Sequence, residues 1–235
     1  MEKVLHILSG GAARAVVEGL ADAVQENTGC RISGQYGAVG AMRDLLLGGA
    51  PCDVLILTTA LIDELGRSGH ALAHTARALG RVKTAIAVPE GSAPPAVETP
   101  EQLRQALLRA SSIWFPDPER ATAGIHFQNV LQRLGILAQV RERLSTWPNG
   151  ATAMARMAQS AEADAIGCTQ VTEILYTPGV RLVAPLPTEF ELSTTYVAAV
   201  AANARQPQAA QALVEMLGAP GSAQLRARGG FELPA

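Results

Sequence analysis

The order of apolar segments from Val4 to Leu65 is the feature that most restricts the fold of this chain. Three segments of strand length, Val4–Leu8, Arg31–Tyr36 and Asp53–Leu57, are each followed by apolar residues at helical spacing. Such an alternation places successive strands parallel to one another, with their helices on the faces of the sheet. The sequence therefore predicts an α/β fold built on mainly parallel sheet.

The alternation continues to the end of the chain with less regular spacing. Thr99, Pro100 and Glu101 have the residue types of a helix N-cap, first position and first turn. Ala12–Gln25 is predicted to be a single helical stretch, whereas Gly69–Gly80 is predicted to be a loose connection. Further strands are predicted at Thr84–Val88, Ser112–Phe115, Ala165–Gly167, Val180–Val183 and Ser193–Ala201, and a further helix at Ala151–Ala161.

Composition limits the classes of function. The chain has 235 residues, of which 48% are hydrophobic and 17% charged, and its net charge is −2. This length suffices for one large domain or two smaller lobes with a buried core. This near-neutral, slightly acidic balance gives no electrostatic footprint for nucleic acid, which is therefore not a predicted partner. The chain has no apolar run of about 18 residues, so membrane insertion is not predicted.

The cysteines and tryptophans give no sign of a special site. Cys30, Cys52 and Cys168 are widely spaced and follow no CxxC or Cys/His ligand pattern, so neither a metal site nor a cofactor is predicted. The three thiols are expected to be buried as small apolar groups. Trp114 and Trp147 lie far apart in sequence, and each is predicted to pack without a stacking partner.

The beginning of the chain leaves its compartment open. The apolar run Val4–Leu8 is too short for the hydrophobic core of a signal peptide, and Gly10 follows it closely. The protein is expected in the periplasm if a leader has been removed, and in the cytoplasm if Met1 is the natural start.

Candidate site residues lie where predicted strands pass into helices, in turns made of small or hydroxyl residues. Such turns leave a parallel sheet at the same edge, and a helix start there presents backbone N–H groups and a partial positive charge. Several together can hold an anion without lysine or arginine, although any one of them alone is better interpreted as an ordinary tight turn. The candidate ligand-binding residues in these turns are Ser9, Gly10, Gly11, Ala12, Ala38, Val39, Gly40, Thr58, Ala123 and Gly124.

A set of motifs spread over nearly the whole chain carries a resemblance. The motifs are Ser9–Ala12, Tyr36–Ala41, Gly49–Val54, Pro116–Pro118 and Ala163–Gly167. Their order resembles the type II solute-binding proteins of ABC transporters, in particular the periplasmic molybdate-binding group. The resemblance implies two α/β lobes, each a mainly parallel sheet flanked by helices, joined by two crossing strands. Residues 1–83 and 196–235 would form one lobe and 84–195 the other, with the ligand in a cleft between them. The implied partners are a small anion and an ABC transporter permease.

The chain departs from this pattern where hydroxyl side chains usually contact an oxyanion. The corresponding positions hold Ala12, Val39 and Gly40, and the tyrosine expected near residue 170 corresponds to Gln170. Backbone N–H groups with Gln170 and a few hydroxyls suit a flat carboxylate better than a tetrahedral metal oxyanion. The predicted function is therefore the binding of a small anion, either an oxyanion or a di- or tricarboxylate.

A second resemblance leaves an enzymatic alternative open. The turn at Ser9–Gly11 and the stretch Gly167–Glu173 resemble the aconitate isomerases of the same superfamily. That activity would move a proton across an unsaturated polycarboxylate, which needs a base and donors for the developing charge. His126, in the first turn of the predicted helix after Gly124, is the first candidate for the base, and it is also a candidate ligand contact. Equally, it is a packed surface histidine, and no catalytic residue is assigned.

Other charged residues near the predicted turns have two interpretations, one as part of a ligand site and one as ordinary surface or capping residues. Asp117 and Glu119 are alternative bases, or they cap the following helix. Arg120 is the arginine best placed to clamp a carboxylate, ahead of Arg14 and Arg43, although such arginines are commonly solvated. Lys83 could pair with a ligand carboxylate, or it is an exposed strand residue.

Overall fold

The computed structural model describes residues 3–160 and 162–233 and divides the chain into two compact units. The first unit consists of the residues up to Val82 and those from Thr194 onward, and the second is Lys83–Ser193. The chain passes from the first unit to the second within one strand and returns at the start of another. Residue 161, which ends a predicted helix, and residues 1, 2, 234 and 235 of the predicted first lobe lie outside the described residues.

Strands and helices alternate along most of the described chain. The strands are β1 (Lys3–Gly10), β2 (Cys30–Gly37), β3 (Val54–Thr58), β4 (Arg77–Pro89), β5 (Ile113–Pro116), β6 (Leu144–Trp147), β7 (Ile166–Gln170), β8 (Val180–Pro185) and β9 (Ser193–Val200). The helices are α1 (Arg14–Gly19), α2 (Ala21–Thr28), α3 (Val39–Leu47), α4 (Thr59–Arg67), α5 (Pro100–Arg109), α6 (Thr122–Arg133), α7 (Leu137–Val140), α8 (Gly150–Gln159), α9 (Val171–Tyr176), α10 (Pro207–Gly218) and α11 (Ala223–Arg228). None of the helices in the described part of the chain combines the length and apolar character that a membrane crossing requires.

The first unit contains a sheet in the order β2-β1-β3-β9. β1 is parallel to β2 and β3, and β9 is antiparallel to β3. Residues 54–57 of β3 and residues 7–10 of β1 are buried without alternation, as expected for strands with helices on both faces. The predicted α/β fold is confirmed for this unit.

The second unit contains a sheet in the order β4-β7-β5-β6, with β8 beside β4. β5 is parallel to β6 and β7, while β4 is antiparallel to β7 and β8. Phe115 of β5 and Phe127 of α6 are both fully buried, and their rings meet edge to face with centroids 5.4 Å apart. This contact fixes α6 against the sheet. The predicted α/β architecture with flanking helices is confirmed here as well, although the sheet of this unit is mixed, with two parallel and two antiparallel pairings among its described strands.

Three local predictions were wrong. The helical stretch predicted at Ala12–Gln25 is divided into a 3-10 turn at Gly11–Ala13, α1 and α2, and the break at Leu20 follows Gly19, a residue that weakens a helix interior. The predicted loose connection ends early, because β4 begins at Arg77 and buries Leu79 and Val82.

The two tryptophans stack on each other, which is the third correction. Their rings are nearly parallel, at an interplanar angle of 6° with centroids 6.2 Å apart. The parallel pairing of β5 with β6 places Trp114 opposite Ser145, two residues from Trp147 on the same face. The indole N–H of Trp114 donates to the Ser112 hydroxyl, and that of Trp147 donates to the Ser145 hydroxyl. Strand pairing thus creates a contact that no local pattern indicated.

Candidate functional site

Three strand ends in the first unit lie next to one another. The parallel register pairs Gly10 of β1 with Gly37 of β2, and Ser9 of β1 with Ile56 of β3. Thr58 is two residues after Ile56, so β3 ends near the ends of β1 and β2. Each strand end leads into a helical segment, as the sequence predicted. The structure therefore brings the predicted turns at residues 9–12, 38–40 and 58 to one edge of the sheet.

Close packing explains the glycine at the centre of this edge. A Cβ atom at Gly10 would lie 2.8 Å from Cε1 of Tyr196 and 2.9 Å from Cγ1 of Val39. The hydroxyl of Ser9 is buried and donates to the carbonyl oxygen of Gly10 at 2.8 Å. Ser9 thus holds the turn together, and Ala12, also buried, adds no polar group.

The helices that follow β2 and β3 begin without acidic side chains in their first turns. Ala38 is the N-cap of α3 and makes no side-chain cap, while the Thr58 hydroxyl accepts from the Leu61 N–H at 3.5 Å as the N-cap of α4. The first N–H groups of an α-helix have no partner within the helix. Both starts therefore offer donors and a partial positive charge that no carboxylate of their own first turn neutralises.

In the second unit, α6 begins in a similar way after β5. Ala121 is its N-cap without a side-chain cap, and Ala123 and Gly124 are buried. A Cβ atom at Gly124 would collide with the carbonyl oxygens of Pro116 and Asp117, so the helix start rests directly on the preceding loop. This contact accounts for the glycine in the predicted turn.

The acidic loop before α6 has a structural role. Oδ1 of Asp117 accepts from the backbone N–H groups of Glu119, at 2.7 Å, and of Arg120, at 3.1 Å. Glu119 and Arg120 are exposed. Of the two interpretations of Asp117 in the sequence, the geometry favours local capping of the loop.

His126 lies in the second turn of α6, as its fifth residue, rather than in the first turn as expected. Its Nε2 is 2.7 Å from the carbonyl oxygen of Phe190. Because a carbonyl oxygen only accepts, Nε2 carries the hydrogen, and the neutral ring has its lone pair on Nδ1. Any base chemistry at His126 would therefore use Nδ1.

Gln170 ends β7 and is the N-cap of α9. Its side chain is only 2% exposed, yet neither Nε2 nor Oε1 has a hydrogen-bond partner among the described residues. Thr84, directly opposite in the antiparallel pairing of β4 with β7, is 1% exposed, and its hydroxyl likewise lacks a partner there. Buried polar groups are nearly always satisfied in native proteins, so this pair needs an explanation.

Sequence reasoning missed the role of Glu173. Its carboxylate is buried and accepts from the Thr169 hydroxyl at 2.6 Å. The backbone N–H groups of Ala151, Gln170 and Gly150 lie near this carboxylate and stabilise its charged form. A Cβ atom at Gly150 would collide with both the Thr169 hydroxyl and the Glu173 carboxylate, which is why the start of α8 is a glycine. The clearest signal available was an acidic residue in an otherwise apolar strand-to-helix segment.

Burial raises the pKa of Glu173 above its ordinary value, while its hydrogen bonds with Thr169 and the backbone act in the opposite direction. A folded-state pKa above the unfolded one means that stability from this group is lost as the pH rises through the interval between them. Glutamine does not titrate. The melting temperature of Glu173→Gln relative to the parent protein is therefore expected to increase from about pH 4 to about pH 8. Thermal unfolding of both proteins across this pH range measures the difference. A difference in melting temperature that stays constant or decreases with pH would contradict the prediction.

Most of the candidate cationic side chains are already paired within their own unit. Nζ of Lys83 lies 2.9 Å from the Glu191 carboxylate. Arg14 pairs with Glu18 at 2.8 Å, and Arg43 with Asp44 at 2.9 Å. These contacts favour the surface interpretation of the three side chains.

The cysteines are free and buried, as predicted. Burial raises the pKa of Cys52 to about 12 and that of Cys168 well above its ordinary value, so both thiols stay protonated at neutral pH. Among the described residues, no group of three or more histidine, cysteine, aspartate or glutamate side chains could hold a metal ion.

The chain matches a known protein family. Residues 5–232 match the family model described as bacterial extracellular solute-binding protein. The chain belongs to this family. The predicted resemblance to type II solute-binding proteins is therefore confirmed. An aconitate isomerase from a Pseudomonas species is 25% identical over an alignment of 232 positions, which covers 94% of this chain and 84% of that protein.

Two solved structures show the same fold. The periplasmic molybdate-binding protein of Azotobacter vinelandii has a TM-score of 0.80 at 18% identity, covering 98% of this chain and 100% of that chain. The sulfate-binding protein of Mycobacterium tuberculosis has a TM-score of 0.76 at 16% identity, covering 97% and 86%. At these identities, the likeness confirms the type II binding-protein fold class.

Proposed function

We propose that this solute-binding protein binds a small anion through backbone N–H groups at helix starts. The observation that carries the proposal is the register of the first unit, which brings Gly10, Gly37 and Thr58 to one edge of the sheet. Two helices of nine residues each, α3 and α4, begin at this edge without acidic residues in their first turns. Helix starts of this kind favour anions.

The second unit supports the same chemistry. The uncapped start of the twelve-residue helix α6 at Ala121–Gly124 offers a further set of N–H donors. The unpartnered amide of Gln170 is a buried polar group that a ligand would satisfy. The candidate turns 9–12, 38–40, 58 and 123–124, together with Gln170, remain the proposed ligand-binding residues, and His126 is a weaker member because Phe190 engages its Nε2.

The proposed ligand class is an oxyanion or a di- or tricarboxylate. Proteins of the same fold include a molybdate-binding and a sulfate-binding protein, and a relative by sequence is an aconitate isomerase. In this chain Ala12, Ala38 and Val39 supply no hydroxyl donors, which favours ligands that backbone N–H groups can hold by themselves. We further propose that the protein passes its ligand to an ABC transporter permease.

Proline at the first position of a helix removes one N–H group without distorting the helix, and α5 and α10 already begin with proline. Thr58 has extended backbone, as a residue before proline requires. Thr59→Pro is therefore expected to weaken anion binding by about tenfold or more, because one charge-assisted hydrogen bond is lost. Thr59→Ala keeps the N–H and is the matched control, with binding expected within about threefold of the parent protein.

Binding is measured by calorimetry and thermal shift with molybdate, sulfate, phosphate, citrate and aconitate. A ligand that binds only the native state stabilises it by RT ln(1 + L/Kd) at free ligand concentration L, so the melting temperature rises with the logarithm of the ligand concentration above Kd. Equal binding by Thr59→Pro and Thr59→Ala would remove α4 from the site. Absence of binding by every anion would contradict the proposed function.

The sequence similarity to an aconitate isomerase favours a second candidate function. In such a reaction a base takes a proton from a CH₂ carbon, the double bond shifts along the allylic system, and a proton is returned at its other end. If His126 is the base, Nδ1 is the atom that exchanges this proton, because Nε2 donates to the Phe190 carbonyl. The same aconitate samples, followed by proton NMR in D₂O, distinguish the candidates. Deuterium incorporation supports an isomerase, and bound aconitate that stays unexchanged excludes it.

A further inference from the structure

Gln170 and Thr84 form a pair of buried side chains whose polar atoms have no partner among the described residues. They face each other in the antiparallel pairing of β7 with β4, so their side chains share one face of the sheet. One amide nitrogen, one amide oxygen and one hydroxyl thus lie together at the end of β7. Gln170 is 2% exposed and Thr84 is 1% exposed.

Backbone hydrogen bonds hold Thr84 in place, and strand pairing sets Gln170 opposite it. The Thr84 N–H donates to the Leu192 carbonyl at 3.0 Å, and its carbonyl accepts from Leu186 at 3.1 Å. The backbone of Thr84 is therefore satisfied, whereas the polar side-chain atoms of both residues lack partners among the described residues. Buried polar groups are nearly always satisfied in native proteins, so a bound ligand is a natural partner for these atoms.

The chemistry of the pair restricts what can satisfy it. Nε2 of Gln170 only donates and Oε1 only accepts, whereas the Thr84 hydroxyl can do either. The Thr84 hydroxyl and Oε1 of Gln170 are not hydrogen-bonded to each other. A fully deprotonated anion such as sulfate has acceptors alone, so it can accept from Nε2 and from the Thr84 hydroxyl but cannot donate to Oε1. A ligand that also carries an O–H group can pair with both ends of the amide. Leaving a buried acceptor unpaired is costly, so this difference separates ligands of equal charge.

We infer that the ligand carries a hydroxyl or protonated oxygen, which the Gln170–Thr84 pair recognises in addition to its anionic oxygens. The inference rests on the proposed anion-binding function and narrows its ligand class. Hydroxycarboxylates and hydrogen phosphate belong to this class, whereas sulfate, succinate and tricarballylate do not. The shared feature is one O–H donor beside anionic oxygen.

Matched ligand pairs test the inference: phosphate against sulfate, malate against succinate, and citrate against tricarballylate, each titrated calorimetrically at neutral pH. In the pairs that bind, the member with an O–H group is expected to bind about tenfold more tightly or better. The phosphate pair and the two carboxylate pairs distinguish an inorganic from an organic source of the donor. Equal binding within every pair, or tighter binding of the member without O–H, would overturn the inference.

Gln170→Met removes both polar atoms and keeps an unbranched side chain. It is expected to reduce the preference within a pair to about threefold or less, while Gln132→Met, an exposed position in α6, keeps it. Without ligand, Gln170→Met is expected to melt no lower than the parent protein, because it buries no unpaired polar group. A preference retained in Gln170→Met would contradict the assignment to this pair. Binding of the six ligands without preference contradicts this inference alone, and so does binding of only molybdate or aconitate, neither of which carries an O–H group at neutral pH. Absence of binding by every anion contradicts the proposed function as well.

Discussion

Asp53→Ala is expected to lower the free energy of unfolding by about 3–5 kcal/mol. The Asp53 carboxylate is 1% exposed and accepts three backbone hydrogen bonds. Oδ2 accepts from the His6 N–H at 2.8 Å, and Oδ1 accepts from Arg205 at 2.6 Å and from Gln206 at 2.9 Å. Gln206 is the N-cap of α10, so the carboxylate also lies at the positive end of that helix. Alanine leaves all three donors without an acceptor.

Urea unfolding followed by circular dichroism measures this loss, and tryptophan fluorescence separates the units because Trp114 and Trp147 both belong to the second unit. Asp53→Asn keeps one acceptor oxygen and is expected to lose less than Asp53→Ala. Asp63→Ala, at an exposed position of α4, is the matched control and is expected to stay within about 0.5 kcal/mol. A decrease of less than about 1 kcal/mol in the unfolding free energy of Asp53→Ala would show that the carboxylate does not stabilise the contact between β1 and the start of α10.

Gly124→Ala is expected to cost about 2–4 kcal/mol of stability and to weaken anion binding by about tenfold or more. The added methyl group would collide with the backbone carbonyls of Pro116 and Asp117, which cannot rotate away as a side chain could. The start of α6 must then move from the loop, and its N–H groups move with it. The loss of stability follows from the packing alone, whereas the loss of binding tests the proposed role of this helix start.

Gly221→Ala is the matched control for this substitution. The space around Gly221 is open, with no atom within 4 Å of an added Cβ, so the change is expected to stay within about 0.5 kcal/mol. Thermal unfolding and calorimetric titration with the tightest anion of the panel measure both effects. Unchanged affinity in a destabilised Gly124→Ala variant would remove the α6 start from the site, and unchanged stability would contradict the packing.

Patterns of neighbouring residues predicted the parts of the fold that depend on short-range physics. The apolar run ending at Leu57 forms the buried strand β3. Thr99, Pro100 and Glu101 begin α5 as expected, and Thr99 and Gln102 form a capping box. Each signal lies within a few residues, because side-chain alternation and helix capping act over that distance.

Contacts between distant segments were outside the reach of those patterns. Asp53 meets the N–H groups of residues more than 150 positions later in the chain. The Glu173 carboxylate packs against Gly150, the first residue of α8. Trp147 stacks on Trp114 only because β5 and β6 pair. These contacts depend on strand register and helix docking, which the local sequence does not specify.

For the candidate site, local patterns predicted that small or hydroxyl residues would begin the helical segments that follow β1, β2, β3 and β5, and three of these helices do begin without an acidic first turn. Tertiary packing set which polar groups those turns leave without partners. It tied the Ser9 hydroxyl and His126 Nε2 to backbone carbonyls, and it left the amide of Gln170 buried and unsatisfied. Composition and spacing specify which donors and acceptors exist, whereas the three-dimensional packing decides which of them find one another.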